Sequence, residues 1–146
     1  MDWRQLETFS FGDNPALADD LAALVLAGKK TATCWAASDG MLTEIGKRMV
    51  VVSGSGRPLA VVETVELTRR RFHEVDAAFA HDEGEGDRSL AYWRNAHRRY
   101  FGRLGQFAED MPLLCERFRV VERIAESESD AAAAPLRRAA RPPGTG

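Results

Sequence analysis

The chain has 146 residues, with 20 Lys and Arg against 22 Asp and Glu, and a formal net charge of −2. That length suits one domain, and an apolar share of 45% supplies a core, which excludes wholesale disorder and a surface given over to binding polyanions. No apolar run approaches the ~20 residues of a membrane span, no basic-then-apolar leader opens the chain, and Cys34 and Cys115 are too few for a disulfide framework, so the expectation is a cytoplasmic protein without membrane attachment.

In chain order, Asp13, Asn14 and Pro15 open a helix, because Asp or Asn caps free amides and Pro suits the first helical position. Leu17, Leu21, Leu24 and Val25 share one face, and Gly28 ends the helix. Strands are expected over Thr31 to Ala36, Arg48 to Ser53 and Pro58 to Leu67, the last two forming a hairpin. A short helix over Glu74 to Ala80 leads into an acidic loop, His81 to Asp87. Leu90, Trp93, His97, Tyr100, Phe101 and Leu104 mark the inner face of a helix over Ser89 to Leu104, with Asp87 or Ser89 as its cap. A final strand spans Leu113 to Ile124, with Phe118, Val120 and Ile124 on one side and Arg117, Arg119 and Arg123 on the other. The order helix, strands, helices, strand indicates an α+β fold, a small β-barrel flanked by helices, over a parallel α/β sheet, because regular crossover helices are absent. Residues 1–125 form the domain. Residues 126–146, with one Leu and no aromatic residue, read as a disordered tail whose three acids and three arginines cancel.

Three segments can carry chemistry. The first is Gly28-Lys29-Lys30-Thr31-Ala32-Thr33, where a lysine and hydroxyls leave a helix end and enter a strand. A lysine beside a hydroxyl holds an oxyanion or, when desolvated, acts as a base; lysines and threonines at a helix-to-strand turn are equally explained by the helix dipole and by strand propensity. It is not a Walker loop, which runs strand to helix and needs an earlier glycine. The second segment holds Glu83, Glu85, Asp87 and Arg88. A carboxylate near Lys30 can donate a proton or position the lysine, while a solvated acidic loop is the simpler alternative. The third combines Tyr92, Arg94, Arg98 and Arg99 with Trp35, as in single-strand nucleic-acid binders, although Trp93 and Tyr100 fall on the apolar face. His73, His81, His97 and the two cysteines reproduce no zinc spacing, and neither a metal nor a cofactor is expected. The sequence carries no signal for an oligomeric state.

Taken together, Gly28-Lys29-Lys30-Thr31-Ala32-Thr33, the Gly84-Glu85-Gly86-Asp87-Arg88-Ser89-Leu90 stretch with Trp93, and the late Cys115-Glu116-Arg117-Phe118 strand resemble the ASCH domain family, in its longer bacterial type. The first segment matches the family's Gly-x-Lys-x-x-Thr signature, and the resemblance covers roughly Phe9 to Ile124. It implies a PUA-like barrel and a role with RNA or modified nucleosides. One similar bacterial group consists of amidohydrolases that deacetylate N4-acetylcytidine through a lysine base, a threonine nucleophile and a glutamate acid. By motif these roles fall on Lys30, Thr33 and Glu85, with Glu83 as the alternative acid. Lys29, Thr31, Trp35, Glu83, Arg88, Tyr92 and Arg94 are the expected substrate contacts, and the partner is a nucleoside or single-stranded RNA. Many members carry arginine two positions after the motif threonine; Trp35 stands there in this chain, offering a stacking face in place of a charge. The alternative is a non-catalytic RNA-binding module, or a ribonuclease, using the same basic cleft.

Overall fold

Helix α1 (Pro15–Leu26) starts as its sequence dictates. Asn14 accepts from the Leu17 amide at 2.8 Å and Pro15 takes the first turn. Leu21 and Val25 are buried on its inner face, and Gly28 follows with φ +78°. The computed structural model describes residues 2–127, so most of the expected tail lies outside the described residues.

Five strands form one mixed sheet in the order β1-β3-β4-β5-β2: β1 (Thr8–Phe9), β2 (Ala32–Ala36), β3 (Arg48–Val52), β4 (Pro58–Arg71) and β5 (Pro112–Arg123). Among the described residues, only the β1–β3 pair is parallel. The row does not close by a pairing of β1 with β2 among the described residues, but it curls. Phe11, just past β1, stacks 6.1 Å from Phe118 on β5, and both lie in one core with Phe9, Leu21, Val25, Met49 and Val51. The fold is therefore α+β and compatible with a barrel.

A second core lies on the other side of β2. Cys34, Ala36 and Cys115 face Phe72, Phe79, Trp93 and Phe101, contributed largely by helices α2 (Ala77–Glu83) and α3 (Leu90–Arg103). These helices correct the sequence reading. Phe72–Glu74 is a single 3₁₀ turn, and α2 begins only after Asp76, whose carboxylate accepts from the Phe79 amide. The helix then runs through His81, Asp82 and Glu83, so the acidic loop shrinks to the segment after Gly84. Ser89, not Asp87, caps α3, accepting from the Tyr92 amide at 3.0 Å. β4 extends to Arg71, four residues past the expected Leu67, because β5 pairs with it along its full length. Ile124 belongs to a third small core with Trp3, Val50, Val52 and Val61, not with Phe118. An irregularity in the β4–β5 register at Val61/Val62 explains this, since one extra residue reverses the alternation of sides.

Candidate functional site

Lys30 leaves the turn after α1 and enters the protein with its side chain fully buried. An ammonium in such a place needs opposite charge and hydrogen-bond acceptors. Both come from the end of α2. Lys30 Nζ lies 2.7 Å from Glu85 Oε2, 3.2 Å from Glu83 Oε1 and 3.4 Å from the Glu83 carbonyl. Burial alone would lower the lysine pKa, but Glu85 and then Glu83 outweigh it and hold Lys30 above its ordinary value. Lys30 therefore rests as an ammonium. Its charge also sits 5.4 Å from the Phe11 ring centre.

Glu83 is equally buried. Its Oε2 accepts from Trp93 Nε1 at 2.7 Å and lies 3.7 Å from His97 Nε2. Burial works against its ionised form, but the Lys30 charge and the Trp93 N–H are among the groups that keep its pKa below the ordinary carboxylate value. Glu83 is thus a structural partner of Lys30, placed on a helix rather than in the expected loop.

Backbone geometry brings these groups together. Gly84 ends α2 with φ +78°, and a Cβ there would stand 2.3 Å from the Lys29 carbonyl oxygen. Only glycine allows that approach. The Thr31 amide donates to the Asp82 carbonyl at 2.7 Å, stitching β2 to α2. Arg88 adds a clasp, its guanidinium donating to the carbonyls of His81 and Lys29. It does so with φ +66°, the left-handed region that a non-glycine residue enters only at some cost. Asp82 pairs with Arg117 of β5.

The other expected site residues are placed as follows. Thr33 is 0% exposed, stands opposite Glu116 in the β2–β5 register, and its hydroxyl has no hydrogen-bond partner. It makes no hydrogen bond with Lys30 or Glu85. Trp35 is 0% exposed and donates its indole N–H to the Gly40 carbonyl at 2.8 Å, so it offers no open face for stacking. Tyr92 is half-buried over Gly86, where a Cβ would lie 2.4 Å from its ring. Burial and then Glu85 push its pKa above the ordinary phenol value. Lys29 and Arg94 are exposed. Thr31 contributes to a groove of about 390 Å³ with Gly28, Lys30, Phe118, Arg119 and Arg123. That volume lies within the usual range for small-molecule sites.

Sequence reasoning did not find Glu116. It is buried on β5 and accepts from the Thr64 hydroxyl at 2.6 Å, which in turn contacts Thr43 at 2.8 Å. Its period-two position opposite Thr33 was the available signal. It also missed the approach of Cys34 and His97 to Glu83, since the three residues come from β2, α3 and α2.

Residues 7–122 match the family model of the ASCH domain. An ASCH domain of Lactobacillus crispatus JV V101 is 36% identical, with 80% of this chain and 79% of that one covered, at a TM-score of 0.74. A protein of Enterococcus faecalis V583 is 29% identical over 90% of this chain and 86% of that one, also at 0.74. An ASCH protein of Zymomonas mobilis is 9% identical over 93% and 85%, at 0.56, a likeness of fold alone. No curated protein matches the chain. Among the described residues no helix is long and apolar enough to cross a membrane.

Proposed function

The chain belongs to the ASCH domain family, and from that premise we propose that it acts on RNA or a modified nucleoside, as an amidohydrolase that removes the acyl group of an N4-acetylcytidine-like substrate. The observation that carries this reading is the 2.7 Å contact between the buried side chains of Lys30 and Glu85. Passage of one proton from the ammonium to the carboxylate leaves a neutral amine beside a protonated carboxyl. A single transfer thus supplies both the base and the acid, and burial narrows the gap between the charged and neutral pairs.

In this mechanism the Lys30 amine takes the proton of the Thr33 hydroxyl, and Thr33 Oγ1 attacks the acyl carbon. The C–N bond breaks as Glu85 gives its proton to the leaving N4 amine. Water then hydrolyses the ester and restores the Thr33 hydroxyl, leaving the ion pair as it began. Glu83 positions Lys30 and does not touch substrate. With Trp35 enclosed, Tyr92 takes the stacking role in this reading, and Lys29, Thr31, Arg88 and Arg94 are its proposed substrate contacts. Purified full-length chain is expected to release cytidine from N4-acetylcytidine. Glu85→Gln, which keeps volume and hydrogen bonding, is expected to slow release by about 10²–10⁴-fold with an unchanged circular dichroism spectrum. No release by the parent chain, or full activity in Glu85→Gln, overturns the reading.

The groove beside Lys30 supports a second reading, an RNA-binding module without this chemistry. Arg119 and Arg123 line it, and phosphate contacts there would make affinity for short single-stranded RNA fall steeply with salt. Salt-dependent RNA binding without cytidine release favours this reading. Cutting of labelled RNA marks a ribonuclease.

A further inference from the structure

Cys34 on β2, Glu83 on α2 and His97 on α3 direct one ligand atom each to a common point. The cysteine sulfur, a carboxylate oxygen and an imidazole nitrogen all lie within 4.8 Å of one another, and all three residues are buried. His97 Nδ1 stands 2.9 Å from the Trp93 carbonyl. A carbonyl only accepts, so Nδ1 carries the proton and Nε2 carries a lone pair. That lone pair has no hydrogen-bond partner among the described residues and faces Glu83 Oε2 at 3.7 Å. Nε2 is thus a buried acceptor aimed at the Glu83 carboxylate with no donor of its own, and a bound cation would satisfy it.

From this geometry we propose that Cys34, Glu83 and His97 form a binding site for a zinc ion. Thiolate, imidazole and carboxylate are the usual zinc donors, and metal–ligand bonds of ~2.0–2.3 Å set the ligand atoms roughly 3.3–3.7 Å apart in a tetrahedron. The three atoms lie within 4.8 Å of one another, so they need to draw together by no more than about 1.5 Å. The surrounding contacts already orient the ligands. The Trp93 carbonyl fixes the His97 tautomer, Trp93 Nε1 holds Glu83 Oε2, and Lys30 occupies the other carboxylate oxygen. Binding expels the Cys34 thiol proton to solvent as the Zn–S bond forms, so the ion adds one net positive charge beside the Glu83 carboxylate. The site ties β2 to both helices, shares Glu83 with the proposed hydrolysis and leaves the Lys30–Glu85 contact intact. No spacing motif announces it, because the three ligands are scattered along the sequence.

The test uses full-length chain, stripped with a chelator and titrated with Co²⁺ alone, then with Zn²⁺. One Co²⁺ per chain is expected, with a thiolate-to-cobalt charge-transfer band and tetrahedral visible bands that zinc abolishes. Cys34→Ser is expected to lose the charge-transfer band, while Cys115→Ser, its cross-strand neighbour, retains it. Trp93→Phe is expected to weaken uptake about 10–100-fold. X-ray absorption of the zinc-loaded parent chain, which depends on no variant, is expected to show one sulfur with lighter N/O ligands. Absence of saturable uptake, a charge-transfer band that survives in Cys34→Ser, or a zinc shell without sulfur overturns the proposal.

Discussion

Two ion pairs of nearly equal geometry stand in opposite settings. Lys30 and Glu85 meet at 2.7 Å with side chains 0% and 2% exposed, whereas Arg98 and Glu109 meet at 2.9 Å with 44% and 61% exposed. Their distances are almost the same and their consequences are not. In water the arginine pair gains little, since solvent screens the attraction and two long side chains lose freedom. In the interior the attraction is strong, but removing either charge strands the other without solvent. The separation of two charges therefore says little about their role until their surroundings are known, and the enclosed pair is the one placed on the family's signature lysine.

The sharpest way to break this contrast is Lys30→Met, which keeps the bulk of the side chain and removes its charge. It leaves Glu83 and Glu85 buried without their cation and is expected to cost about 3–5 kcal/mol of unfolding free energy in urea titrations. Combining it with Glu83→Gln and Glu85→Gln is expected to recover part of that loss. A smaller effect is expected from Gly84→Ala, roughly 1–3 kcal/mol, because the new methyl meets the Lys29 carbonyl and the backbone must leave its left-handed conformation. The same melts measure it. The smallest is Arg98→Gln, no more than about 1 kcal/mol, and smaller again in 1 M salt, where screening extends over only a few ångströms. The Lys30→Met loss is expected to persist in that salt. Equal losses for Lys30→Met and Arg98→Gln would show that burial does not distinguish the two pairs.

Much of the fold is legible locally. Asn14 and Pro15 start α1, Gly28 ends it, and the apolar stripe of α3 emerges at its true position because caps and periodicity are short-range properties, except that Leu104, expected on the inner face, caps the helix end and is exposed. The same reasoning stops α2 too early. His81, Asp82 and Glu83 look like solvated loop residues until Arg117 and Lys30, both distant in sequence, neutralise the two acids. Tertiary charge partners here override local preference. Trp35 fails for a related reason. Its indole is enclosed by a contact with Gly40, which the strand pattern of β2 does not reveal. Lys30 and Glu85 are legible as residues, through the motifs that hold them, but their contact depends on the α2 end lying against the turn after α1.

The separation along the chain bears on how the molecule folds in time. The two carboxylates that meet Lys30 follow it by 53 and 55 residues. The β3–β4 hairpin lies between them and forms through nearer neighbours. The charges can be stripped of water only once α2 has docked on β2, so the cluster is expected to form after the main folding barrier, and Lys30→Met is expected to speed unfolding more than it slows refolding in stopped-flow measurements. Interactions formed that late govern how slowly a protein comes apart far more than how fast it assembles. The buried lysine then acts as a latch on the native state, lengthening its lifetime while leaving the route into it nearly untouched.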